Sequence, residues 1–283
     1  MRLALATCHA ARGLDEDEPE LIGALAARGV RAEPVAWDEA ADWAAYAVVA
    51  VRSTWDYPAR RDAFLAWARR VDRVSRLVNP PGMVAWTTDK AYLAGLAAAG
   101  LPVVPTRPLG PDGTGPLPDG EYVVKPRVGA GAVDALRLGP GREDEARALA
   151  RRLHDEGRGA LVQPYLAGVD HAGETALVYL GGALSHAIGK GPLLHAGAPA
   201  HAGLFAAEDI TPRTPAAGER AVGDAVLAHL ARAFGRVPAY ARVDLVPGPG
   251  GPLVLEVELA EPSLFLAHGP GAAGRLADAL IRA

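Results

Sequence analysis

An α/β fold is what the sequence predicts: an open, Rossmann-like α/β layer at the N-terminus, followed by α+β lobes. Three observations lead there. Strand and helix patterns alternate over about the first 80 residues, as an open layer requires. Hairpin patterns punctuated by Gly and Pro lie in the second half, and helical periodicity recurs between them. The chain has 283 residues, half of them hydrophobic, so it can bury a large core and favours two or three lobes over one. The expected divisions are 1–82, 83–165 and 166–283, the first set by the break Asn79-Pro80-Pro81-Gly82.

Residues 2–7 form an apolar strand, and residues 19–29 a helix with Leu21, Leu25 and Ala26 on one face and Gly29 as its stop. A short strand near 31–37 and a stronger one at 47–51 follow. In open α/β layers ligands sit at the C-terminal ends of strands. Those ends carry Thr7, Cys8 and His9, then Arg52, Ser53, Thr54, Trp55, Asp56 and Tyr57. The second cluster reads either as a substrate wall, with Arg52, Ser53 and Asp56 as polar members, or as the N-cap of the helix at 60–73.

Thr87, Thr88 or Asp89 is expected to cap a helix running to Ala99, and residues 108–120 form a Pro/Gly-rich loop. Residues 122–126 then read as a strand ending in Lys125, with a small-residue loop behind it containing Gly129, Ala130, Gly131 and Ala132. Backbone amides in such a loop can wrap phosphate oxygens, with Lys125 as the charged partner. A helix at 143–156, a strand at 161–166 and a hairpin of 173–180 with 183–188 come next. The stretch from Gly189 to Ala207 reads as a lid or substrate loop. His186, His195 and His201 lack zinc-ligand spacing. Helices at 218–234 and 271–283 flank the final hairpin.

That hairpin pairs 239–246 with 252–259. Alternation puts Glu256 and Glu258 on one side of their strand and Leu255, Val257 and Leu259 on the other, while Arg242 and Asp244 share a face of the partner strand. Register permitting, three carboxylates converge beside one guanidinium. Hard oxygen donors of this kind suit Mg²⁺; a solvated acidic face is the plain alternative.

Net charge is −4 with a pI near 6.1, and no basic block stands out, so nucleic acid is not an expected partner. The one cysteine, Cys8, excludes an internal disulfide and points to a reducing, cytoplasmic location. The opening apolar run is shorter than the roughly 7–15 residues of a signal core, and no window reaches the roughly 18 of a membrane span. Of 29 basic residues only Lys90, Lys125 and Lys190 are lysines, which suggests that a compact charge is wanted there.

Taken in order, Asp89-Lys90, Val124-Lys125-Pro126 with its Gly/Ala loop, Gln163-Pro164-Tyr165-Leu166, Gly173-Glu174, Arg242-x-Asp244 and Glu256-x-Glu258 resemble the ATP-grasp superfamily over nearly the whole chain. The resemblance implies an ATP-grasp fold behind the first α/β domain, with ATP and Mg²⁺ as cofactors. Lys90 and Lys125 would contact phosphates, the loop Gly129 to Ala132 would cover them, and Gln163, Pro164, Tyr165 and Leu166 would face adenine. Asp170 or Glu174 would hold the ribose. Asp244, Glu256 and Glu258 would bind Mg²⁺, although the superfamily often has Asn where Glu258 stands. Arg242 would steady the transferred phosphate, and Lys190 and Ser263 the carboxylate or its acylphosphate.

Within the superfamily, residues 52–57, Ser185-His186-Ala187 with Lys190, and the run from Glu258 to Phe265 resemble the glutathione-synthetase-like branch. They are similar in particular to cyclo-ligases that close O-ureido-D-serine to cycloserine. This implies an ADP-forming C–N ligase or cyclo-ligase acting on a small amino-acid-like molecule, in antibiotic or other secondary metabolism. A small-molecule kinase using the same ATP site and a non-catalytic nucleotide-binding protein are the alternatives. The sequence is compatible with a homodimer and does not set the oligomeric state.

Overall fold

The computed structural model of the protein describes residues 1–201, 203–204, 206 and 208–283. Its first layer contains β1 (Arg2–Thr7), α1 (Glu18–Ala26), β2 (Arg31–Ala36), β3 (Val48–Ser53), α2 (Arg61–Val71) and β4 (Arg76–Val78). The four strands are parallel in the order β2-β1-β3-β4. All of β3 is buried, which is why residues 48–51 read as an unbroken apolar run. The helix α2 lays Phe64 and Trp67 on one face of the sheet, stacked at 5.4 Å with Trp37 edge-on to both. Neither Ser53, Thr54 nor Asp56 caps α2. Arg60 stands at its N-cap, behind a 3₁₀ turn over Tyr57–Arg60.

The helix expected from 87–89 to 99 is two: α3 (Pro81–Thr87) and α4 (Tyr92–Ala98). Pro81 opens α3 at the position where a missing N–H costs nothing, so the Pro-Pro break is also a helix start. Thr88 caps no N-terminus; its hydroxyl donates to the Val84 carbonyl at 2.9 Å, closing α3. The turn between the helices delivers Asp89 and Lys90.

The second sheet has β5 (Arg107–Leu109), β6 (Tyr122–Pro126), β7 (Leu136–Leu138) and β8 (Ala160–Pro164), antiparallel in the order β5-β8-β6-β7. The helix α5 (Glu143–Asp155) covers it with Ala146, Leu149, Ala150 and Leu153. Three acids in its first turn and two basic residues in its last complement the helix dipole. A single helical turn, α6 (Val169–Ala172), leads to the third sheet.

That sheet holds β9 (Glu174–Leu180), β10 (Ala183–Lys190), β11 (Ile210–Arg213), β12 (Tyr240–Gly248) and β13 (Gly251–Glu258), in the order β11-β10-β9-β12-β13. The helix α7 (Ala217–Phe234) packs Val226, Leu227 and Leu230 against it. Gly223 is where helix and sheet approach most closely: a methyl there would strike Tyr179 and Leu177. Ala202, Phe205 and Ala207 of the expected lid loop lie outside the described residues.

The last helix, α8 (Ala272–Arg282), returns to the first layer. Its Leu276, Ala277 and Leu280 pack with Leu3, Leu5, Leu21 and Leu25, and Asp278 pairs with Arg28. Asn79 ties first layer to third sheet, donating to the Tyr240 and Leu259 carbonyls and accepting from the Ala239 amide, each at 2.8 Å. No helix among the described residues is long and apolar enough to cross a membrane.

Candidate active site

Register settles the hairpin at the centre of the site. Arg242 lies opposite Glu258 and Asp244 opposite Glu256, so all four share a face. A bulge follows Asp244, and it moves Leu255 off the face expected for it. Leu255 does not join Val257 and Leu259; it packs with Val104, Leu166, Val169 and Val246, on the cavity side.

The cavity measures about 440 Å³ and lies where the second and third sheets face each other, reaching the first layer. One end is an apolar slot walled by Val104, Val123, Val169, Val246 and Leu255, with Gln163, Pro164, Tyr165 and Leu166 along its edge. The Gln163 amide donates to Thr106 Oγ1 at 2.7 Å, so that side chain is already engaged. Asp170 does not reach the wall; Arg137 and the Tyr165 hydroxyl hold it outside. Glu174 does line the cavity.

Beyond the slot the cations gather. Lys90 Nζ donates to the Gly129 carbonyl at 2.6 Å and pairs with Glu256 at 2.9 Å. Lys125 lines the same wall but makes no hydrogen bond or ion pair among the described residues. Burial lowers its pKa, Glu256 opposes that, and neighbouring Lys90 adds to it. Gly129, Ala130, Gly131 and Ala132 line the cavity beside these lysines. Asp134 closes their loop, accepting from Arg152 at 2.7 Å and pairing with Arg158.

Lys190, at the end of β10, is ringed by Glu208 at 3.0 Å, Asp244 at 3.1 Å and Glu174 at 3.6 Å. Burial lowers its pKa, but the surrounding acids, Asp244 foremost, hold it above the usual lysine value. Arg242 grips Asp244 in a fork at 2.8 and 2.9 Å, reaches Glu258, and donates to the Ser263 carbonyl at 2.9 Å. Ser263 lines the cavity. Burial pushes the Asp244 carboxyl up, yet Arg242 and Lys190 bring it below the ordinary range; Lys90 and Lys125 do the same for Glu256. Glu258 goes the other way: burial and the charges of Glu256 and Asp244 outweigh Arg242 and raise it. Burial and the Glu258 charge push Glu261 up to about 8.

Among the described residues no three acidic, His or Cys side chains form a ready-made metal cage. Each acid of the trio is instead held by a cation. The donor set nevertheless fits Mg²⁺, which takes one or two carboxylates and completes its shell with water and phosphate. Burial is the main cause of the raised Glu258 pKa, and the like charges of Glu256 and Asp244 that add to it are a conflict that a divalent cation would relieve.

The expected substrate wall is the part of the site that shifts. Arg52 is buried against Asp15 and Asp17, Ser53 donates to Thr7 Oγ1 at 2.8 Å, and Asp56 is occupied by Trp37 and Arg60; none lines the cavity. Strand β3 continues through Ser53, so its last side chains enter the interior. At this end the cavity is lined by Asp15, Asp17, Trp55, Glu261, Phe265 and His268, with Glu208 near Lys190. Asp15 and Asp17 follow β1, the same kind of strand end that singled out Thr7, Cys8 and His9, so the signal lay a few residues farther on.

The chain is similar to known proteins in sequence and in fold. Residues 3–79 match the family described as D-cycloserine synthetase DcsG, N-terminal domain. The cycloserine biosynthesis protein DcsG of Streptomyces lavendulae is 37% identical over 292 aligned residues, 98% of this chain and 97% of that protein. The crystal structure of D-cycloserine synthetase DcsG superposes with a TM-score of 0.92 over 100% of this chain and 99% of the other, at 37% identity. Two distant structures share the fold alone. A RimK-domain ATP-grasp protein of Sphaerobacter thermophilus has a TM-score of 0.66 at 21% identity, covering 99% of this chain and 100% of that one. The D-alanine–D-alanine ligase of Bacillus anthracis, solved with ATP, has 0.69 at 16% identity, covering 100% of this chain and 96% of its own. The chain belongs to the D-cycloserine synthetase DcsG family.

Proposed function

We propose that the protein activates the carboxylate of a small amino-acid-like substrate with Mg-ATP and joins the acyl carbon to a nitrogen of the same molecule, closing a ring of the cycloserine type. The observation that carries this is Lys125, a half-buried cation that lines the cavity and makes no direct ion pair among the described residues, beside Lys90 and the loop from Gly129 to Ala132. Such a charge suits an incoming phosphate. The apolar slot suits adenine, and Glu174 rather than Asp170 is placed to meet the ribose.

Two steps balance. A substrate carboxylate oxygen bonds to the γ-phosphorus as the bond to ADP breaks; the nitrogen lone pair then bonds to the acyl carbon, inorganic phosphate leaves with the transferred oxygen, and the nitrogen loses a proton. Asp244, Glu256 and Glu258 would hold Mg²⁺, which would supply charge neutralisation on the phosphates. Lys90, Lys125 and Arg242 oppose the remaining negative charge. Lys190 with Ser263 faces the carboxylate end, while Glu208 must release Lys190 for it to do so. We further assign residues 83–165 and 166–283 to the two lobes enclosing the nucleotide. Buried Cys8 and the need for ATP accord with a cytoplasmic enzyme.

The test is ADP and phosphate release from Mg-ATP across amino acids and their ureido and aminooxy derivatives, O-ureido-D-serine included, with products weighed. ADP formation coupled to a cyclised product is the expected result. A joined pair of substrates refutes ring closure, a product heavier by one phosphate means a kinase, and tight ATP binding without turnover means a non-catalytic protein.

A further inference from the structure

Asp17 stands at the N-cap of α1, where an aspartate ordinarily accepts from the first helical amides. It makes no such cap. Its carboxylate turns instead to the far end of the chain: Oδ2 accepts from the Leu264 amide at 2.6 Å and Oδ1 from the Leu266 amide at 2.7 Å. Arg52, itself buried, donates to Oδ2 at 3.1 Å. Asp17 is 3% exposed, so these charge-assisted bonds are shielded from water.

The two amides bracket Phe265, whose φ is +51°, a left-handed conformation that residues with a side chain avoid. On the opposite edge the Leu264 carbonyl meets His186 Nε2 at 2.8 Å. This fixed arm presents Ser263, Phe265 and His268 to the cavity. It also bears on Arg242, whose guanidinium carbon lies 5.6 Å from the Phe265 ring centre and which donates to the Ser263 carbonyl. With its oxygens taken by three donors, Asp17 contributes through the arm and not as a free carboxylate toward the substrate.

We infer that Asp17 is a positioning residue for substrate specificity: it holds residues 263–268 in the strained form that shapes the amino-acid end of the cavity, while the nucleotide end is built independently. The inference rests on the ligase reading above. Arg52 serves it by fixing the Asp17 carboxylate, which accounts for its burial away from the wall.

The test is Asp17→Asn in the full-length enzyme. Losing one charged acceptor should raise KM for the amino-acid substrate by about tenfold or more while KM for ATP stays within about twofold. Hydrogen exchange should accelerate in 263–268 and remain unchanged in 122–134. Equal shifts in both KM values, or no change in either KM or arm exchange, overturn the inference. If that variant does not fold, Asp17→Glu, which keeps the charge and displaces both oxygens, is read by the same ratio. A wild-type enzyme without amino-acid-dependent turnover refutes the ligase reading instead, and arm exchange then decides the positioning role.

Discussion

Glu256 pairs with Lys90 at 2.9 Å and, in the proposed reading, would also offer an oxygen to Mg²⁺. Glu256→Gln keeps shape and removes charge, so ADP formation should fall by at least about 100-fold with little change in melting temperature. Full activity in that variant, measured by coupled ADP release, would sink the metal assignment. At this scale the sequence was legible wherever strand alternation governed. Arg242, Asp244, Glu256 and Glu258 meet as alternation requires, and the three retained lysines all line the cavity. Leu255 was not legible, because a bulge inserts a residue without leaving a compositional mark. Nor were the partners of Asp17, since a carboxylate satisfied by amides 247 and 249 positions away obeys no local pattern.

Among the elements, the loop from Gly129 to Asp134 lines the cavity in a conformation that its local sequence resists. Ala132 and Asp134 both have positive φ, at 58° and 61°. Asp134 holds the loop against Arg152 of α5 and against Arg158. Burial raises its pKa, but the hydrogen bonds from the two arginines prevail and leave it below the ordinary aspartate value. The sign follows from linkage: a depressed folded pKa gives stability that is present above the unfolded value and lost as pH falls through the folded one. Wild type should therefore be more stable than Asp134→Asn at neutral pH, with the gap closing below about pH 4 in parallel denaturant titrations. A gap that persists unchanged at lower pH would contradict this. Long helices and the two hairpins were readable from periodicity. The strands β4, β5, β7 and β11, of three or four residues each, were not, because they exist only by pairing with longer neighbours.

At the scale of the whole molecule, three sheets meet around one cavity, and the end of the chain secures the arrangement by laying α8 on the first layer. Apolar spacing announces α8 as a helix; that it belongs with α1, some 250 residues earlier, is tertiary information. The first layer contributes Asp15, Asp17 and Trp55 to one end of this cavity, the end proposed for the substrate, and the two later sheets line the end proposed for the nucleotide. The central claim is that a carboxylate oxygen passes to phosphate during ring closure. The direct measurement is turnover of a substrate labelled with ¹⁸O in its carboxylate, with the released inorganic phosphate weighed. One labelled oxygen per phosphate is the predicted result; unlabelled phosphate accompanying ADP and product would contradict the acylphosphate route.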